Sequence, residues 1–371
     1  MTKTTKDGIT QHFTEFYIGT LTSQPSRVNF EVEVSYRGAE LFRFEELHRR
    51  FLLSPPEGHK YDLREVMDRS GMYDLEVEFN PASEAQIEIN NRWIELYGQG
   101  KTNMPSKIKS SDPNFKSWFQ KVCSLLGTNV HLIPDTNIIR RLYYTNYLKR
   151  MVIEDQGHMT IALPRLGILE VENKYNNNKR SEKKSLTGQK QKASYLESEK
   201  KKARERIIAY QSMGEILSMK NDGAKVLPAY DVDLIRAFPS EASRGNADAL
   251  IRREVSSSKP YLIKTQVRSD KIETSSNIVF LTCDLMNSLA AIAEDLNTIY
   301  FYRPENSIPS RLVIGHDKLS GIVFNTAIHF GECDVMIRWK GKERRLKLKG
   351  TWPGKSAYEW QYDFIDVESA A

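Results

Sequence analysis

Two kinds of hydrophobic spacing divide the chain. Early segments alternate: VNFEVEVSY from Val28, YDLEVEF from Tyr73 and AQIEINNRWIELY from Ala85 put apolar residues at every second position, with Glu on the other face. Successive side chains of a strand point to opposite faces, so this period predicts antiparallel strands with one face in water. The stretch from Glu45 to Arg69 is more helical and is broken by SPPEG. An N-terminal α+β domain over residues 1–97 is the expectation. A Gly, Lys, Ser and Pro-rich stretch, GQGKTNMPSKIKSSDP, then reads as a linker over residues 98–114. Beyond it the spacing changes. NVHLIP, MTIALP and SNIVFLT are short, nearly uninterrupted apolar runs with helical segments between them, the pattern of parallel strands covered on both faces. They predict an α/β domain over residues 115–305, with a central parallel sheet and helices on both faces. A basic helical insertion, residues 173–228, interrupts this domain. It contains a long helix from about Gln189 to Lys220, on which Leu196, Ala203, Ile207, Tyr210 and Leu217 share one stripe. The final segment, residues 306–371, returns to short strands with Gly turns (VMIRWKGKERRLKLKGTW) and predicts a small, basic β module.

Charge changes this picture through its distribution. The net charge is +6, yet residues 173–206 alone hold twelve Lys or Arg against four Glu. The rest of the chain is therefore slightly acidic. A second cluster, RWKGKERRLKLKGTWPGK from Arg338, holds eight basic residues and one Glu. Two basic surfaces beside a neutral body suit a polyanion. No run approaches the roughly 18 apolar residues of a membrane span, and MTKTTKDGITQHF has no apolar leader core. Three widely spaced cysteines offer neither a disulfide framework nor a zinc knuckle. A cytoplasmic protein that does not enter membranes is expected. The absence of GxxxxGK[ST], HExxH and paired CxxC motifs argues against a P-loop NTPase or a zinc site.

The carboxylates carry the candidate chemistry. Asp135 follows VHLIP, and Asp284 follows IVFLTC, so both stand at carboxyl ends of strands, where open α/β sheets bind ligands. Glu170 lies six residues after Pro164, in the helix behind the second strand, and Asp248 opens the helical DALIRREV. Taken singly, each is an ordinary helix cap or first-turn acid. Gathered at one sheet edge, four carboxylates repel one another unless a cation neutralises them, and an all-oxygen set suits Mg²⁺ or Mn²⁺.

These segments resemble a known family. VHLIPDTNII is similar to the opening strand and PDTN signature of PIN domains, LPRLGILEVE to their proline-to-glutamate segment, NADALIRREV to their third-acid segment, and IVFLTCDLMNSLA to their closing T-x-D strand. The matches come in family order over residues 130–302. The resemblance implies a PIN-like fold and a metal-dependent nuclease, an endonuclease on single-stranded or structured RNA, with DNA also open. It implies that Asp135, Glu170, Asp248 and Asp284 bind the metal and carry catalysis, beside Asn137 and Thr282 as polar neighbours. The sequence departs from the pattern at Cys283 and Met286, where many members carry Asn and an Asp or Asn. Asp231 and Asp233 compete with Asp248 for the third position.

Substrate would meet basic surface. Lys183, Lys184, Lys190, Lys192, Lys200, Lys201 and Lys202 belong to the insertion. Arg344, Arg345, Lys347 and Lys349 lie between Trp339 and Trp352, mixing phosphate contacts with stacking faces. Two alternatives share these residues: a PIN-like RNA-binding scaffold without turnover, and a toxin or defence-type nuclease controlled by a protein partner docked on the N-terminal domain.

Overall fold

Where the apolar runs were longest, strands lie at the centre of a sheet. The computed structural model describes residues 2–4, 30–47, 50–54, 61–83, 86–97, 106–127, 129–154, 158–176, 189–227, 232–243, 245–262, 265–268, 271–274, 276–303, 312–339, 341–350 and 365–370. The chain divides into two units interleaved along the sequence. One comprises Met1–Tyr73, Asn178–Ile208 and Asn306–Ala371, the other Asp74–Asn177 and Ala209–Glu305.

The second unit is built on seven strands: β1 (Glu76–Asn80), β2 (Lys107–Lys109), β3 (Asn129–Pro134), β4 (Met159–Leu163), β5 (Lys225–Val226), β6 (Ser276–Thr282) and β7 (Thr298–Tyr302). Their spatial order is β2-β1-β7-β6-β3-β4-β5. The five strands from β7 to β5 run parallel, and β1 and β2 extend the sheet antiparallel beyond β7. Its helices are α1 (Gln86–Tyr97), α2 (Phe115–Leu126), α3 (Thr136–Arg140), α4 (Lys149–Glu154), α5 (Arg165–Asn176), the end of α6 (Gln189–Asn221), α7 (Val232–Ser243), α8 (Ala247–Leu262) and α9 (Leu285–Ala293). This is a mixed α/β layer arrangement with helices on both sides of the sheet. One core joins Ile133, Ile278 and Phe280 of the sheet to Leu166, Phe238, Ile251, Val255 and Leu296, all buried.

Polar groups inside this unit hold helix ends. Glu254 of α8, 5% exposed, accepts hydrogen bonds from the Arg165 and Leu166 amides, each at 2.9 Å. It thereby satisfies two of the N–H groups that the start of α5 leaves without an intrahelical partner. Burial raises its pKa, and the two amides counter that. Glu254→Ala leaves the buried Leu166 amide and the part-buried Arg165 amide bare, so unfolding in urea is expected to show a loss of about 3 kcal/mol.

The first unit is an antiparallel eight-stranded sheet. Its order is Thr2–Thr4, Ile365–Ala370, Lys342–Gly350, Glu332–Trp339, Phe30–Tyr36, Ala39–Leu47, Arg50–Ser54 and Leu312–Ile314. The helix His316–Phe330 packs on it. Val32, Val34, Phe42, Phe44, Val335 and Ile337 are buried along its strands, at the period of two seen in the sequence.

The structure corrects the expected layout in five places. The N-terminal domain and the C-terminal β module are not separate: Glu332–Trp339 pairs with Phe30–Tyr36, so both ends of the chain build one sheet. The sheet of the α/β unit is mixed, since YDLEVEF supplies its antiparallel strand β1. The expected linker is partly structured. Lys107–Lys109 is strand β2, while residues 98–105 lie outside the described residues. AQIEINNRWIELY forms helix α1, because Ile89, Trp93 and Leu96 recur at offsets of four and three as well as alternating. The expected insertion is also partly integral. Beyond Ala209 the buried stripe of α6 is Ser212, Glu215, Ile216 and Met219, displaced from the predicted Tyr210 and Leu217. Glu215 is buried because it accepts from the Thr145 amide at 2.9 Å and from the Thr145 hydroxyl. No helix among the described residues is long and apolar enough to cross a membrane.

Candidate metal centre at the carboxyl edge of the sheet

Strands β3 and β6 are neighbours in register, Pro134 opposite Leu281, so the residues that follow them meet. Asp135 donates its amide to the Leu281 carbonyl at 2.9 Å and turns into α3 as its N-cap. Its carboxylate has no solvent and three donors. One oxygen accepts from the Ile138 amide at 2.8 Å; the other accepts from the Thr282 hydroxyl and from the Asn287 side-chain amide at 3.2 Å. The residue is 1% exposed. Burial pushes its pKa up to about 7 and the charge of Asp248 adds to the rise, while the three donors oppose it.

Thr282 links this acid to the next. Fully buried at the end of β6, its hydroxyl donates to Asp135 and accepts from the Asp284 amide at 3.1 Å. A hydroxyl can do both at once and an aliphatic side chain neither. Asp284 is the N-cap of α9, accepting from the Asn287 amide at 3.0 Å. Glu170, in the second turn of α5, accepts from the Thr136 hydroxyl at 2.6 Å and pairs with Lys174 one turn on. Asp248 stands in the first turn of α8. Its pKa is raised by burial first, then by the charges of Glu170 and Asp284, against Arg252 and Lys174. The four acids therefore lie within electrostatic reach of one another. Of the rival third acids, Asp233 has a 94% exposed side chain beside Arg236, and Asp231 is outside the described residues.

Several residues of this centre were not singled out in the sequence. Thr136 and Lys174 orient Glu170. Arg252, 8% exposed, donates to the Asn287 side-chain oxygen at 2.5 Å and to Glu294 at 3.0 Å. Asn287 is thus held with its amide toward Asp135, which spends it as a positioning group. The i,i+4 spacings of Glu170 with Lys174 and of Asp248 with Arg252 were legible as same-face pairs. The threonine contacts cross between strands and were not. Asn137 is half-exposed in α3, and its side chain takes no part in holding Asp135. Met286, 72% exposed, presents a thioether where a further oxygen ligand was sought.

Among the described residues no three His, Cys, Asp or Glu side chains converge closely enough to enclose a cation. Both Glu170 oxygens are engaged by Thr136 and Lys174, and both Asp135 oxygens by the three donors. The donor set still fits a hard divalent ion. All four groups are carboxylates, and the charge on Asp135 and on Asp248 is opposed by burial and by its neighbours. A cation would relieve that repulsion and replace the Lys174 ammonium as counter-charge. Arg252→Met, which frees the Asn287 amide to rotate, is expected to weaken Mn²⁺ binding about 10- to 100-fold by calorimetry.

The expected nucleic-acid contacts belong to the other unit. Arg345 is hydrogen-bonded to Glu343 at 2.6 Å, and Lys347 stands 3.5 Å from Glu332. Arg344 is exposed on the same strand, and Lys349 is half-exposed. Lys190, Lys192, Lys200, Lys201 and Lys202 lie on α6, and Trp339 ends the strand Glu332–Trp339. Lys183, Lys184 and Trp352 lie outside the described residues.

No family model matches this chain, and no curated protein is similar to it.

Proposed function

We propose that this chain is a divalent-metal-dependent ribonuclease of PIN-like fold, cutting phosphodiester bonds within single-stranded or structured RNA. The observation that carries the reading is the set of four carboxylates at the carboxyl edge of the sheet in which Asp248 is coupled to Asp135, Glu170 and Asp284, with Asp135 buried and its pKa pushed up to about 7. The ordered resemblance of their four segments to PIN domains points to the same residues.

In this reading Asp135, Glu170, Asp248 and Asp284 hold Mg²⁺ or Mn²⁺. Bound there, the ion supplies activation of the attacking water and charge stabilisation at the leaving oxygen. The chain's own part is positioning. Thr282 fixes Asp135 and Asp284 against each other, Asn287 and Arg252 set the rotamer of Asp135, and Thr136 aims Glu170. Lys174, paired with Glu170 here, would be available to a phosphate oxygen if a cation took over that carboxylate. The strand ends keep the acids on backbone that cannot drift, because Asp135 is tied to both β6 and α3.

Incubation with labelled single-stranded RNA and DNA in Mg²⁺, Mn²⁺ or EDTA tests this. Cleavage of RNA with either metal and none in EDTA is expected. Equal cleavage in EDTA, or none in any condition, counts against it. Retained RNA binding without cleavage would move the reading to a PIN-like RNA-binding scaffold, which the exposed Met286 favours.

A further inference from the structure

The acids are not alone on their edge of the sheet. A cavity of about 550 Å³ opens beside strand β2, lined among others by Trp93, Trp118, Lys107, Lys109, Lys121 and Glu76. The strand registers fix where it lies. Thr282 pairs with Tyr300, Tyr302 pairs with Glu76, and Glu76 pairs with Lys109, so Lys109 is at the same end of the sheet as Asp284. Three strand spacings separate β6 from β2, about 14 Å at 4.7–4.9 Å each. Tyr302, 36% exposed, ends β7 between them.

We infer that this cavity is a nucleotide subsite, holding an unpaired base of the RNA strand whose scissile phosphodiester lies at the acidic centre. The inference rests on the nuclease reading for the second half of that statement only. The volume is within the range of small-ligand pockets, about 300–1,000 Å³. Its walls combine the two features that single-strand binders need, an aromatic surface for a base and ammonium groups for phosphate. Trp118 is 4% exposed and set against the Phe115 ring, with centroids 6.5 Å apart and planes 19° apart, so it is a rigid wall. Trp93 is half-buried on α1 and is the more accessible ring. Lys107 is already paired with Glu78 at 3.3 Å. Lys109 and Lys121 line the cavity and are exposed, so their ammonium groups can reach a phosphate. Glu76, an acceptor only, can take a hydrogen bond from a base amino group. The span from acids to cavity is therefore at least about 14 Å, or at least about four nucleotides at the stacked spacing of 3.4 Å. The base in the cavity would thus set the register of cleavage by distance.

The test uses the full chain in EDTA, titrated with AMP, GMP, CMP and UMP and followed by calorimetry. One-to-one binding of at least one nucleotide is expected. Trp93→Ala, or the exposed change Lys109→Glu, should weaken it about tenfold, as loss of one stacked base does. Trp93→Phe, which keeps a ring, should recover it, and Asp284→Asn should leave it unchanged. No binding of any of the four, or affinities that Trp93→Ala and Lys109→Glu both leave intact, overturns the subsite. Because neither metal nor cleavage enters, the two readings fail separately. A chain that binds nucleotides but never cuts keeps the subsite and loses the nuclease; a chain that cuts without binding them does the reverse.

Discussion

Metal-free protein is expected to lose stability as the pH rises from about 4 through about 7, and Mg²⁺ to restore it. Below the ordinary carboxylate value of 3.8, Asp135 is protonated in both folded and unfolded chains, and the full stability is present. Above it the unfolded chain ionises freely, while the folded chain must keep the proton or hold a charge without solvent. The loss grows until the pH passes the folded value of about 7 and is then constant. The rise from 3.8 to about 7 corresponds to about 4 kcal/mol. Asp248, raised in the same direction, adds to it. Asp62 and Glu65, held down to about 2, add stability as the pH rises to their ordinary values of 3.8 and 4.5, which is below the comparison made at higher pH. Urea unfolding at about pH 5 and about pH 8, each with EDTA or saturating MgCl₂, reads the difference directly. Equal metal-free stability at the two pH values, or no gain from Mg²⁺ at the higher one, would contradict the assignment.

Asp284→Asn should abolish nearly all cleavage while leaving the fold intact. Asn is as good an N-cap as Asp, so the bond from the Asn287 amide and the start of α9 survive. What is lost is the charge that would face the proposed cation. About 4 kcal/mol of lost transition-state stabilisation is roughly a thousandfold in rate. Asp233→Asn is the matched control, because that side chain is exposed and lies outside the group that perturbs Asp248. Single-turnover cleavage of labelled RNA distinguishes them. An Asp233→Asn enzyme as slow as Asp284→Asn, or an Asp284→Asn enzyme as fast as wild type, would remove Asp284 from the centre.

Much of the parallel core could be seen in the sequence, because strands covered on both faces leave unbroken apolar runs, as NVHLIP and SNIVFLT do. The same reasoning put Asp135 and Asp284 at strand ends. Which strands would be neighbours was not legible. Pairing of β3 with β6 joins residues more than a hundred positions apart, and only that pairing brings Thr282 onto Asp135. The domain boundaries failed for a related reason. Local alternation in VNFEVEVSY and in VMIRWKGKERRLKLKG predicts strands equally well in one sheet or two, and nothing local says that the chain's two ends pair. YDLEVEF carried the alternation of a solvated strand and was assigned to the N-terminal domain, yet it pairs with β7. The nucleotide-sized cavity drew on a segment read as a linker, since Gly, Ser and Pro around KIK obscured a three-residue strand. Lys174 and Arg252 were available from helical spacing; the role of Asn287 was not, because its partners are Arg252 of α8 and Asp135 in the turn after β3.

The claim on which the functional account depends is that these four carboxylates form a divalent-cation site. Titration of Mn²⁺ into the full chain, followed by electron paramagnetic resonance, tests it without reference to any substrate. Saturable binding that Asp135→Asn with Asp284→Asn eliminates, and that Asp233→Asn leaves alone, is the expected result. A wild-type chain that leaves Mn²⁺ free in solution, or a double variant that binds it as tightly as wild type, would contradict the account.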